Sequence, residues 1–173
     1  MPNTIDANDK VVKNLLDKTK KLAEEWEKVG VNLFQPGAIK EVMAAHLLGH
    51  AWIPSKHDAD ACDVNDPSVK YEYLSGSVTG TGQIDRVFKD DQEDEIQHRK
   101  HVKSMERIER NDRFYLMYTN PENPIDILRI YDVPTSVIKE EVEKQLANSG
   151  NNISHVSFKE KFAKENGTLV WEK

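Results

Sequence analysis

Cysteine is almost absent from this chain: Cys62 is the only one in 173 residues. It has no partner for an internal disulfide, and a cysteine-based zinc cluster is excluded. Long apolar runs are missing as well. No stretch approaches the roughly 18 apolar residues that a membrane span requires. The opening MPNTIDANDK lacks the basic-then-apolar pattern of a secretory signal, which gives the expectation of a cytoplasmic protein. There is no internal repeat and no low-complexity segment. Six histidines are present, and none is spaced from a partner as zinc ligands would be; His46 and His50 are one helical turn apart, but Gly49 interrupts them. Basic residues are in the minority, 24 against 30 acidic, for a net charge of −6. That balance argues against nucleic-acid binding, because phosphate contacts need lysine and arginine.

Net charge hides clustering, however. Residues 90–95, DDQEDE, are acidic, whereas residues 98–113, HRKHVKSMERIERNDR, carry six Lys or Arg and two His. Hydrophobic residues make up 38% and charged residues 31%, so the chain is polar yet long enough to bury a core as one domain over residues 1–173.

Periodicity gives the order of elements. Val11, Leu15, Leu22, Trp26 and Val29 recur at helical spacing within 8–29, and Gly30 stops the run. Pro36 and Gly37 open a second helix over 38–48, with Ile39, Val42, Met43, Ala45 and Leu47 as its expected buried face. Short strands are expected at 51–53, 59–64 and 69–74, the last two separated by the turn residues Asn65-Asp66-Pro67-Ser68. Residues 75–88, SGSVTGTGQIDRVF, read as a glycine- and hydroxyl-rich loop, and 92–110 as a polar helix. FYLMYT at 114–119 has the length and composition of a central strand, and IDILRIYDV at 125–133 alternates as a strand does. A helix follows Pro134 through Leu146, with Thr135/Ser136 and Glu140/Glu141 in its first turn. The segment SHVSFKEKFAKENGTLVWEK reads as a short helix closed by Gly167 and an end strand. Helices and strands in this order predict an α/β (α+β) domain around a central mixed β-sheet flanked by helices.

The most informative stretch is His57 to Ser75, HDADACDVNDPSVKYEYLS. An acidic residue ends one apolar run, and a second lies in the middle of the next strand. Two carboxylates on neighbouring strands can share a hard cation such as Mg²⁺, which takes oxygen ligands and keeps several waters. Asp58, Asp60 and Asp63 are rival partners for Glu72 on spacing alone, and acidic residues near turns are most often simply solvated. Strand residues two apart point to one face, so Lys70, Glu72 and Leu74 lie together. The Tyr73 carbonyl is a further oxygen donor.

The pieces NLFQPGAIKEVMAAHLLG, PSKHDADACD and KYEYLS, followed by DRFYLMYT and IDILRIYDV, resemble the small type II restriction endonucleases of the PD-(D/E)XK nuclease superfamily. The resemblance is specific from Leu33 to Ser75 and follows element order beyond. It implies a restriction-endonuclease-like core over 33–173, with residues 1–32 as an N-terminal helix for dimerisation and Trp26 as an anchor. It selects Asp60 as the metal-binding aspartate and Glu72 as the first acid of the E-x-K half. The implied cofactor is Mg²⁺, with Mn²⁺ as a substitute, and the implied reaction is phosphodiester hydrolysis in double-stranded DNA. Leu74 falls where the catalytic lysine belongs, and leucine offers neither charge nor hydrogen bond. That leaves open a degenerate DNA-binding relative, a deliberate substitution that traps substrate, or another group in the lysine's role, with Lys70 as one candidate. Glu41, on the second helix, is a possible accessory acid.

DNA contact would come from 75–88 and the basic helix after it. Gln83 and Arg86 have donors suited to base edges in the major groove, and Asp85 can accept from cytosine. Lys100, Lys103, Arg107 and Arg110 recur at helical spacing and can line phosphates, although ion pairing with Glu106 and Glu109 on a solvated helix explains the same pattern. A homodimer is expected, because a two-fold DNA site matches a two-fold protein. Two other classes stand beside the nuclease: an inactive DNA-binding protein of the same fold, and an acidic protein-interaction domain.

Overall fold

The computed structural model describes residues 7–55, 58–88, 104–151 and 153–173. The chain divides into two compact units, one ending at Ile39 and the other spanning Lys40–Lys173.

In the first unit, α1 runs Lys10–Glu27. Asp9 caps it by accepting from the Val11 amide at 2.7 Å, which satisfies an amide the first turn leaves open. None of its side chains is buried, so the expected apolar face of Val11, Leu15 and Leu22 is present but exposed.

The second helix, α2, is Ala38–Leu48. Its alanines Ala38, Ala44 and Ala45 are buried, with Met43, Leu47 and Leu48 partly so. The expected face was therefore right in direction but centred on the small residues. Gly49 then takes φ 71°, a left-handed conformation that ends the helix.

Among the described residues eight strands follow: β1 Ala51–Trp52, β2 Ala61–Cys62, β3 Lys70–Ser77, β4 Gly82–Phe88, β5 Arg113–Asn120, β6 Asn123–Pro134, β7 Ile153–Phe158 and β8 Thr168–Glu172. Three helices lie among them: α3 Ser104–Glu109, α4 Thr135–Asn148 and α5 Glu160–Asn166. Six strands form one mixed sheet in the order β1-β2-β3-β5-β6-β8, and β4 pairs with β7 in a separate ribbon. Only β3 and β5 run parallel, with Glu72 opposite Phe114 and Leu74 opposite Leu116. The fold is thus the mixed α+β sheet with flanking helices that the element order predicts.

Each sheet face has its own core. On one, Leu74, Phe114, Leu116, Tyr118 and Val133 pack with Ile108, with Ile138 and Val142 of α4, and with Val156 and Phe158 of the ribbon. On the other, Tyr71, Tyr73, Tyr115 and Met117 pack against α2. Burying each of these large side chains contributes about 1.5–3 kcal/mol.

Three local readings need correction. Residues 75–88 are no loop: β3 continues to Ser77 and β4 begins at Gly82, because Ile84 and Val87, on either side of an irregularity in the pairing, both reach the core. SHVSF is strand β7 rather than helix, since Val156 and Phe158 bury on one side. The first turn of α4 carries no side-chain cap; Thr135 instead donates to the Asn111 carbonyl at 2.8 Å. Of the polar helix expected over 92–110, only α3 and Arg110 lie within the described residues. No described helix is long and apolar enough to cross a membrane.

The reversal from β3 into β4 depends on Gly76. A Cβ there would stand 2.4 Å from both the Gly82 nitrogen and the Thr81 carbonyl carbon. Backbone cannot yield as a flexible side chain does, so Gly76→Ala is expected to destabilise the chain by about 3 kcal/mol or more. Chemical denaturation checks this, and a wild-type midpoint would show that the turn relaxes freely.

Candidate active site

The acidic residues are brought together by strand pairing. β2 and β3 are antiparallel, with Ala61 opposite Tyr71 and Cys62 opposite Lys70. Asp60 stands just before β2, close enough to the next strand for the Glu72 charge to act on it. The Asp60 amide donates to the Tyr71 carbonyl at 3.1 Å, and the Tyr73 amide donates to Asp60 Oδ2 at 2.8 Å. These two bonds lock the aspartate to the strand that carries the glutamate. Two like charges thus lie near one another at a place where opposite charges would normally pair.

The third acid is Glu41 of α2. Trp52 Nε1 of β1 donates to its Oε2 at 3.2 Å, and its charge is felt at both Asp60 and Glu72. Burial pushes the Asp60 carboxyl well above the usual carboxylate range, and the Glu72 and Glu41 charges add to that rise against the Tyr73 hydrogen bond and Arg110. Burial also raises Glu72, with Glu41 and Asp58 reinforcing the shift and Arg110 and Arg107 opposing it. Glu72 Oε2 is buried with no hydrogen-bond partner. An ionised oxygen left in that state is costly.

The rival aspartates are committed elsewhere. Asp58 is exposed, accepts from the Ala59 amide at 2.8 Å and pairs with Lys70 Nζ at 3.4 Å. Asp63 caps the turn, accepting from the Asn65 and Asp66 amides at 2.7 and 3.1 Å. Lys70 is accordingly held by Asp58. Leu74 is 5% exposed and belongs to the apolar core. The position is packed as a core residue, although Glu72 two residues earlier shares its face. The Tyr73 side chain points to the opposite face, where its hydroxyl meets His50 Nδ1 at 2.7 Å. His50 sits among Tyr71, Tyr73 and Tyr115, and burial lowers its pKa.

The cations nearest Glu72 come from a part of the chain that was read only as a phosphate-lining helix. Arg107 Nη2 donates to the Asp85 carbonyl at 2.9 Å, and Arg110 Nη2 donates to the Asp58 carbonyl at 2.9 Å. Both charges act on Glu72. Their one-turn spacing was visible in the sequence, but nothing in it linked them to an acid some 35 positions away.

On the ribbon, Gln83 and Asp85 are exposed. Gln83 Nε2 lies 3.4 Å from both Thr81 Oγ1 and Ser157 Oγ, and Asp85 Oδ1 meets His155 Nδ1 at 2.8 Å. His155 was not singled out from sequence, since its strand was not recognised. Arg86 is in β4, but its side chain lies outside the described set, as do Lys100 and Lys103.

All the acids here are hard oxygen donors, and one of them carries an orphaned buried oxygen, so the residues fit a small divalent cation. Among the described residues, no three His, Cys, Asp or Glu side chains stand ready as a ligand set. Mg²⁺ is commonly held by only one or two carboxylates with water completing the shell. No protein-family model and no curated protein sequence matches this chain.

Proposed function

We propose that this protein is a Mg²⁺-dependent, sequence-specific endonuclease acting on double-stranded DNA, with Mn²⁺ able to substitute. The observation that carries the reading is Asp60 bound to the Tyr73 amide on the strand of Glu72, within reach of the Glu72 charge, with a buried Glu72 oxygen unmatched. Asp60 and Glu72 would hold the ion, and the Glu41 charge acts on both of them. Bound there, it would supply Lewis acidity to a phosphodiester and its attacking water. Asp60 is kept in place by the Tyr73 amide, and Glu41 by Trp52. Gln83 and Asp85, on the exposed side of the β4–β7 ribbon, are suited to a major groove, which admits a two-stranded ribbon. A homodimer fits a palindromic site, and the exposed Val11, Leu15 and Leu22 of α1 are its proposed contact.

The core packing of Leu74 favours one alternative, a DNA-binding protein that kept the fold and lost the chemistry. Incubation of mixed-sequence duplexes with protein and Mg²⁺ or Mn²⁺ separates the two. The nuclease reading expects discrete products that disappear in Asp60→Ala. Tight selective binding without cleavage would establish the inactive relative instead, and equal affinity for all duplexes of one length would remove sequence specificity.

A further inference from the structure

We infer that Arg107 and Arg110 form a clamp for the DNA phosphate that lies over Glu72, supplying the positive charge that Leu74 cannot. The inference rests on the nuclease reading and adds the group that completes its site. Leu74 is sealed in the core, and Lys70 is engaged by Asp58, so neither neighbour of Glu72 on its strand face delivers a charge to it.

The two arginines approach from another element. α3 is fastened near its C-terminal end by Ile108, which is 1% exposed within the same core as Leu74. Asn111 is buried just beyond, donating to the Arg107 carbonyl at 3.0 Å. The bonds from Arg107 to Asp85 and from Arg110 to Asp58 then tie the guanidiniums to the ribbon on one side and to the segment leading into β2 on the other. Their positions are set by backbone contacts, which is what a pre-organised anion site requires. A guanidinium carries five N–H donors in a planar fork that matches phosphate oxygens. The bond to Asp85 occupies one nitrogen of Arg107.

Charge balance supports an anion here. Three carboxylates against two guanidiniums and a divalent ion leave a single positive charge, the complement of one phosphodiester. Without the ion the same set lacks those two positive charges and holds an anion less strongly. The clamp therefore engages its phosphate fully only when the cation is bound.

The test is the salt dependence of duplex binding, measured on the full-length protein with Ca²⁺ to permit binding without turnover, and again with EDTA. Arg107→Gln and Arg110→Gln are each expected to flatten the log K against log salt slope by about 0.9 in Ca²⁺, and by less in EDTA. Arg107→Lys and Arg110→Lys keep the charge and are expected to retain the slope, which also controls for folding of the glutamine variants. In Mg²⁺ the glutamine variants are expected to cleave about 100-fold more slowly. Parent-like slopes in both glutamine variants would overturn the clamp, whatever happens to cleavage. A parent that binds but never cleaves would instead remove the nuclease reading, while a flattened slope would still support the clamp. If the parent shows no salt-dependent DNA affinity, both ideas fail.

Discussion

Asp60→Asn is expected to make the metal-free protein more stable at pH 8, by about 2 kcal/mol, while removing its response to Mg²⁺. Every tenfold weakening of an acid by the fold represents about 1.4 kcal/mol of unfavourable ionisation in the folded state. Asp60 is raised by burial and by two neighbouring carboxylates, so its ionised form opposes folding. The folded pKa is above the unfolded one. The cost is therefore absent below the ordinary carboxylate range near 4, and it grows as pH rises from there through neutrality. Asparagine removes the charge but still offers an oxygen to the Tyr73 amide, which now donates to Asp60 Oδ2. For a chain of this size the gain corresponds to about 4–8 °C in Tm, seen in EDTA at pH 8 and shrinking towards pH 5. Thermal melts across pH check it. A variant that is less stable than the parent at pH 8 would mean that Asp60 is compensated in the folded state, and the like-charge argument would fail.

Leu74→Lys is expected to lower stability by about 3 kcal/mol, or about 6–12 °C. If position 74 were simply missing its lysine, restoring one would be harmless or beneficial. Instead Leu74 belongs to one continuous core with Ile84, Val87, Ile108, Phe114 and Leu116. An ammonium there must either be desolvated or displace that packing. Glu72 shares its strand face and gives the lysine a partner, so Leu74→Lys combined with Glu72→Gln is expected to be worse than Leu74→Lys alone. Leu74→Met, which keeps volume and polarity, costs less than about 1.5 kcal/mol. A lysine variant as stable as the parent would show that the site still accommodates the motif residue.

These two outcomes mark where the sequence was readable. Local pattern located the long elements well: α2 matches residue for residue, and FYLMYT is the middle of β5, next to β3 at the sheet's centre. The return of the chain that brings Asp60 beside the strand of Glu72 was also legible, because both flank the single turn Asn65–Ser68. What failed was anything that depends on partners far away in the chain. β7 is too short to show its period before the helical pattern of α5 takes over, and only its pairing with β4 makes it a strand. The loop reading of 75–88 followed the glycines and hydroxyls and missed the inward Ile84 and Val87. Leu74 was recognised as out of place in a nuclease motif, but its core packing depends on Ile108 and Ile84, from α3 and the ribbon. The approach of Arg107 and Arg110 to Glu72 is tertiary in the same sense.

Isothermal titration of the metal-free protein with Mn²⁺, beside Asp60→Asn and Glu72→Gln, probes the acidic pair itself, free of any question about DNA. Saturable binding in the parent, lost in both variants, is the expected result. Equal heats in all three proteins, or none in the parent, would mean that Asp60 and Glu72 do not share a cation, and the endonuclease proposal would lose its foundation.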